Sequence, residues 1–138
     1  MPELGDFEGD WRLARLIDDR LAGQEGRFEG RARLTAAGDG ALAYVESGTL
    51  HLGAAPPLQA ERRYIWRAQD GRIAVFFADG RTFHSFRPTG EGAGTDHPCG
   101  ADFYRVAYDF NDFPRWTTRW RVSGPRKDYE MRTTYLRA

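Results

Sequence analysis

The chain has a single cysteine, Cys99, so no disulfide can form within it. Lysine is almost missing too: Lys127 is the one lysine among 20 basic residues, and the rest are arginine. Excess charge is absent, because 20 acidic residues balance the 20 basic ones and the net charge is +0. That balance argues against a general nucleic-acid binder, which needs a basic face or a high pI. No apolar run nears the roughly 20 residues of a membrane helix. Residues 1–6 carry neither a basic segment nor an apolar one, so no signal peptide is expected and the expected location is cytoplasmic. Helical spacing is the last absence. No stretch has the length and 3.6-residue period of a convincing helix.

Alternation and turns fill the chain instead. Aromatics make up 14% of it, and they favour strands. Sixteen Gly and seven Pro supply material for many turns. Residues 7–17 read as a first strand, with Trp11, Leu13, Arg15 and Ile17 on one face. Residues 27–37 alternate cleanly, with Phe28, Gly30, Ala32 and Leu34 opposite a charged face. Residues 41–52 place Leu42, Tyr44, Glu46, Gly48, Leu50 and Leu52 in register. Gly30 and Gly48 sit mid-strand, where closed sheets bend. Residues 59–68 put Tyr64 and Trp66 on one side and Arg63 and Ile65 on the other. Asp70-Gly71 and Asp79-Gly80 are hairpin signals around residues 72–78, which are apolar on both faces. Residues 81–87, 102–110, 115–123 and 129–137 complete the set.

Roughly nine strands with short connections predict one all-β domain spanning residues 1–138. The expected architecture is an antiparallel up-and-down barrel of roughly 8–10 strands, a size that holds side chains or one small ligand. A two-sheet sandwich is the alternative.

The opening, Phe7-Glu8-Gly9-Asp10-Trp11-Arg12-Leu13, resembles the first strand of lipocalin-like (calycin) barrels. Further stretches resemble an uncharacterised bacterial family of that superfamily. They are Tyr64-Ile65-Trp66, residues 79–84, residues 97–104 and residues 124–129. The resemblance implies a lipocalin-like barrel and carries no established activity. It also implies that Gly9 and Trp11 close one end, with a late-strand arginine across the indole, here expected to be Arg132. Fatty-acid-binding proteins use an Arg-x-Tyr clamp; Arg132-Thr133-Thr134-Tyr135 has different spacing, so the clamp is not carried over. Nitrobindins, which bind haem, follow the Trp with a longer Gly-rich motif that Arg12 to Arg15 lack.

The polar residues expected to converge are His84, His97, Cys99, Asp102 and Tyr104, with Tyr64 and Trp66 as a stacking wall and Arg63 or Arg105 for an anionic group. The glycine-rich segment 88–96 reads as a loop at the barrel mouth, with His97, Cys99, Asp102 and His84 at the same end. His97-x-Cys99 lacks the repeated pairs of zinc sites, so no metal is expected. The expected function is binding of a small apolar or amphipathic molecule inside the barrel. A small enzyme in the same cavity is the rival, with His84 or His97 as base beside Tyr104 or Cys99. A haem-binding, nitrobindin-like protein is a further alternative. No particular cofactor follows from the sequence. The doubly apolar strand 72–78 wants cover on its outer face, which suggests a homodimer.

Overall fold

A computed structural model describes residues 2–93, 97–99 and 101–138. A short 3-10 turn, Leu4–Phe7, precedes β1 (Gly9–Asp19). Then come β2 (Gln24–Ala36), β3 (Leu42–Leu52), β4 (Leu58–Gln69), β5 (Arg72–Phe77) and β6 (Thr82–Phe86). Two three-residue strands follow, β7 (Glu91–Ala93) and β8 (His97–Cys99). The chain ends with β9 (Asp102–Asp109), β10 (Trp116–Gly124) and β11 (Lys127–Arg137). Nine long antiparallel strands therefore form a nearly closed barrel, as the alternation predicts. Among the described residues, no helix is long and apolar enough to cross a membrane.

Strand order is β6-β5-β4-β3-β2-β1-β11-β10-β9-β7, with β8 also on β9. First and last strands thus pair in the middle of the sheet, with Trp11 opposite Arg137. The two ends of the sheet meet through inward side chains. Tyr108 of β9 stacks on Phe86 of β6 at 3.9 Å, and its hydroxyl is 2.7 Å from His84 Nε2. Asp70 and Gly71 take positive φ angles of 53° and 74°, the conformation that an Asp-Gly hairpin turn needs.

Gly30 and Gly48 face each other across β2 and β3. A Cβ on Gly30 would sit 2.1 Å from the Ser47 carbonyl oxygen, and one on Gly48 2.2 Å from that of Glu29. Neither strand could approach so closely with a side chain there, and this is where the wall bends. The outward Ala74 of β5 is buried within the single chain and Phe76 is half-buried.

The core is layered along the barrel axis. One end is plugged. Phe7 packs edge-on against Trp66, Phe110, Phe113 and Trp116 at 5.3–5.6 Å between ring centres. Trp11 is fully buried and donates its indole N–H to the Phe7 carbonyl at 2.9 Å. The arginine over this indole is Arg137, 4.0 Å from the ring centre, and this corrects the expectation for Arg132. Arg132 lies on the outer face and pairs with Glu130. Strand alternation explains the difference, because Arg137 shares a face with Tyr135 and Thr133 whereas Arg132 does not. Arg137 also donates to the carbonyls of Glu8 and Asp6, lacing the 3-10 turn to the closing strand. Gly9 has a φ of 120°, and a Cβ there would come 2.9 Å from Arg137 Nη1.

Candidate functional site

Halfway along the barrel, β1 and β3 each turn a charged side chain inward among apolar neighbours. Arg15 is 7% exposed and Glu46 is 2% exposed. They form a two-pronged ion pair, Nη1 to Oε2 at 2.7 Å and Nη2 to Oε1 at 2.8 Å. Arg15 Nε donates to Thr133 Oγ1 at 2.8 Å, and the guanidinium lies 5.3 Å over the Phe28 ring. Tyr44 donates to Glu46 Oε1 at 2.6 Å. Its oxygen lies 2.8 Å from the Tyr135 hydroxyl, which therefore donates to it. Burial alone would pull the Arg15 guanidinium down, but hydrogen bonds to Glu46 and its charge hold it above its ordinary value. Burial would raise Glu46, and the Arg15 hydrogen bonds outweigh it, so the carboxyl sits below its ordinary value. Both groups are therefore charged at neutral pH. Burial pushes the Tyr135 hydroxyl up to about 12, with the Glu46 charge adding to it. Tyr44 is raised well above its ordinary value, first by burial and then by Tyr135 and Glu46.

A cavity of about 20 Å³ lies beside this network. Trp116 and Tyr108 wall it on the plug side, His84 and Val75 laterally, and Arg62, Tyr64 and Trp120 toward the open end. Trp116 stacks flat on Tyr135 at 3.7 Å and is 1% exposed, yet its indole N–H has no hydrogen-bond partner among the described residues. Arg62, Tyr64 and Trp120 are half-buried, with the Arg62 guanidinium 5.7 Å over the Trp120 ring. These three residues form the lid between cavity and solvent.

His84 reaches the cavity through a bulge. Val75 pairs with His84 and Phe76 with Thr82, so Phe83 is an extra residue in β6. Phe83 and His84 are in consequence both buried, which simple alternation would not allow. Phe83 stacks on Phe77 at 4.6 Å and packs edge-on against Trp120 at 5.3 Å.

Of the residues expected at the site, Tyr64, Trp66 and His84 line the cavity. Tyr104 is half-buried at the open end, 5.4 Å from Phe83. Asp102 is on the rim, 3.1 Å from Lys127 Nζ. Arg63 and Arg105 are not at the site. Arg63 is on the outer face, paired with Glu61, and Arg105 is exposed over Phe103. The inward cations are Arg15 and Arg62, each on the face that alternation assigns to Trp11 or Tyr64. The backbones of His97 and Cys99 pair with Tyr104 and Asp102 at the open end, and their side chains lie outside the described residues.

The expected mouth loop covers residues 88–96, and its described part, residues 88–93, starts at the plugged end instead. Gly90 accepts from the Phe110 amide at 2.7 Å beside the plug, and β7 and β8 then run along β9 toward the open end. Residues 94–96 are outside the described residues. Sequence reasoning also left Glu46, Arg15, Arg62, Tyr108, Trp116 and Trp120 out of the site. The available signal was a charge on an otherwise apolar strand face.

A family model of unknown function, DUF6314, matches residues 7–137. The chain belongs to that family. No curated protein matches it in sequence. Among solved structures it is similar to the S-type phycobiliprotein lyase CPES of Guillardia theta. The TM-score is 0.67 at 10% identity, over 98% of this chain and 90% of that one. It is also similar to a protein of unknown function from the DUF3598 family of Nostoc punctiforme. There the TM-score is 0.65 at 10% identity, over 100% of this chain and 50% of that one. This chain therefore shares its barrel fold with these two proteins.

Proposed function

We propose that this DUF6314 protein is a binding module that takes one small, flat, amphipathic organic molecule into the open half of its barrel. The observation that carries this is the buried Arg15–Glu46 pair beside a cavity walled by indoles and phenols. A buried ion pair is a poor stabiliser, since apolar residues of the same volume usually serve a core as well or better. Its position next to a cavity is consistent with a polar wall kept for recognition. Aromatic faces and a few fixed polar groups are the usual furniture of a small-molecule site. At about 20 Å³ the cavity has room for a water, so an organic ligand enters by displacing Trp120 and Arg62.

The lyase neighbour supports the reading only through its fold. Placement in the calycin superfamily belongs to the same proposal. Haem is less well supported, because His84 Nε2 is engaged by Tyr108 and the adjoining space is small. A homodimer has less to cover than the sequence suggested, since Ala74 is already buried; light scattering decides it.

Three of the four tryptophans, Trp66, Trp116 and Trp120, line the cavity, so a ligand there must change intrinsic fluorescence. The test is titration with the neutral dye N-phenyl-1-naphthylamine, together with native mass spectrometry of freshly purified protein. Saturable quenching at one dye per chain supports the proposal. A folded protein that neither quenches with dye nor carries a small molecule overturns it.

A further inference from the structure

The charges that face the barrel interior do not cancel. Strand by strand, β1 offers Arg15, β3 Glu46, β4 Arg62, β6 His84, β9 Tyr104 and Tyr108, and β11 Tyr129 and Tyr135. Arg15 and Glu46 neutralise each other within 2.8 Å. At the rim, Lys127 and Asp102 do the same at 3.1 Å. Phenols as a class carry no charge near neutral pH, so they do not enter this balance. Arg62 is left over, and it is in none of the ion pairs among the described residues. Its neighbours are the Trp120 ring and the Tyr64 hydroxyl, to which it hydrogen-bonds. Glu46 lies opposite it across the β3–β4 ladder and attracts it, but both Glu46 oxygens are bonded to Arg15 and one also to Tyr44. A guanidinium has five N–H donors, so one bonded to a single phenol and paired with no carboxylate keeps donors to offer an anion.

A buried donor without a partner among the described residues lines the same cavity, the Trp116 indole N–H. A buried donor without an acceptor costs free energy comparable to a lost hydrogen bond. Both vacancies ask for acceptors, and one asks for negative charge. We infer that the ligand is a planar monoanion whose acid group pairs with Arg62 and whose inner end offers an acceptor to Trp116. Its flat body lies against Trp120 and Tyr64. The inference rests on the binding reading above and adds the ligand's charge, its orientation and the residue that selects it. Arg62 is accordingly a specificity residue, and the Arg15–Glu46 pair is a neutral floor.

The experiment compares two dyes of the same ring skeleton, 1-anilinonaphthalene-8-sulfonate, which carries one negative charge, and neutral N-phenyl-1-naphthylamine. Each is titrated into the full chain and into the variants Arg62→Gln and Arg63→Gln. The expected result is tighter binding of the sulfonate by the parent and a loss of about tenfold in Arg62→Gln, the size of one charge-assisted hydrogen bond. Neutral dye should shift by less than about twofold in that variant, and Arg63→Gln should match the parent for both dyes. Circular dichroism establishes that each variant is folded; Arg62→Met, which keeps an apolar stem and removes the charge, replaces Arg62→Gln if that variant is not, and should show the same loss for the sulfonate alone. Equal affinity for both dyes, untouched by Arg62→Gln, overturns the inference and leaves the binding module standing. A folded parent that binds neither dye and carries no small molecule overturns both.

Discussion

Arg15 and Glu46 meet over a strand that belongs to neither of them. Arg15 is on β1 and Glu46 on β3, and β2 runs between. Across the ladders, Arg15 is opposite Phe28 and Glu46 is opposite Ala32. The residue between those two on the inward face of β2 is Gly30. The diagonal is open because the intervening positions are Gly30 and Ala32, and Phe28 supplies the surface on which the guanidinium rests.

Glu46→Leu or Arg15→Leu alone leaves a charge buried without its counter-ion. Each should cost about 3–5 kcal/mol in urea unfolding. Arg15→Leu combined with Glu46→Leu should be closer to the parent than either single change. Additive losses in that cycle would show that the pair is not coupled.

Stability should fall at both extremes of pH, for opposite reasons. Glu46 is lowered from 4.5 in the fold, so its contribution is complete above that value and is lost as pH drops through its folded value. Tyr135 is raised from 10.0 to about 12, so its contribution is complete below 10 and disappears as pH climbs toward 12. Phenolate absorbance followed against pH should show Tyr44, Tyr108 and Tyr135 ionising together with unfolding. Ionisation of all six tyrosines before any loss of circular dichroism would contradict this.

Arg137→Ala removes a cation over Trp11 and two hydrogen bonds to the 3-10 turn. The expected loss is about 1–2 kcal/mol by thermal or urea unfolding. Arg132→Ala, on the outer face, should cost less than about 0.5 kcal/mol. Equal effects would mean that the plug does not depend on the cation.

Gly30→Ala places a methyl group against the Ser47 backbone, which has nowhere to go without parting β2 from β3. The loss should be about 2 kcal/mol or more, beyond the range of surface changes. Gly38→Ala is a useful contrast, since its Cβ would meet nothing within 4 Å and only its φ of 75° resists.

Period-2 alternation made the strands legible, because a barrel wall wets one face of nearly every strand. The same rule held the site, applied one step further. Arg15 shares a face with Trp11 and Leu13, and Glu46 with Leu42 and Tyr44, so both charges were readable as inward. Arg63 and Arg105 were readable as outward by the same count. What alternation could not give is the bulge at Phe83, which adds a residue and brings two neighbours to one side. Nor could it place β7 and β8, which flank a stretch whose glycine content suggests a free loop and which depend on pairing with β9. The contact of Tyr108 with His84 joins the two ends of the sheet and depends on how far the sheet curls, which no local pattern records.

The pairing of β1 with β11 sets the order in which this barrel can be made. Until β11 has been synthesised, β1 is an open edge and Trp11 has no Arg137 above it. Contacts this distant in sequence form late and slowly. A ribosome-bound chain that stops short of β11 therefore presents the unpaired side of β1 to any neighbouring strand, a known route to aggregation. The barrel closes only after translation has passed its last strand, and a chaperone that shields β1 would act in that interval.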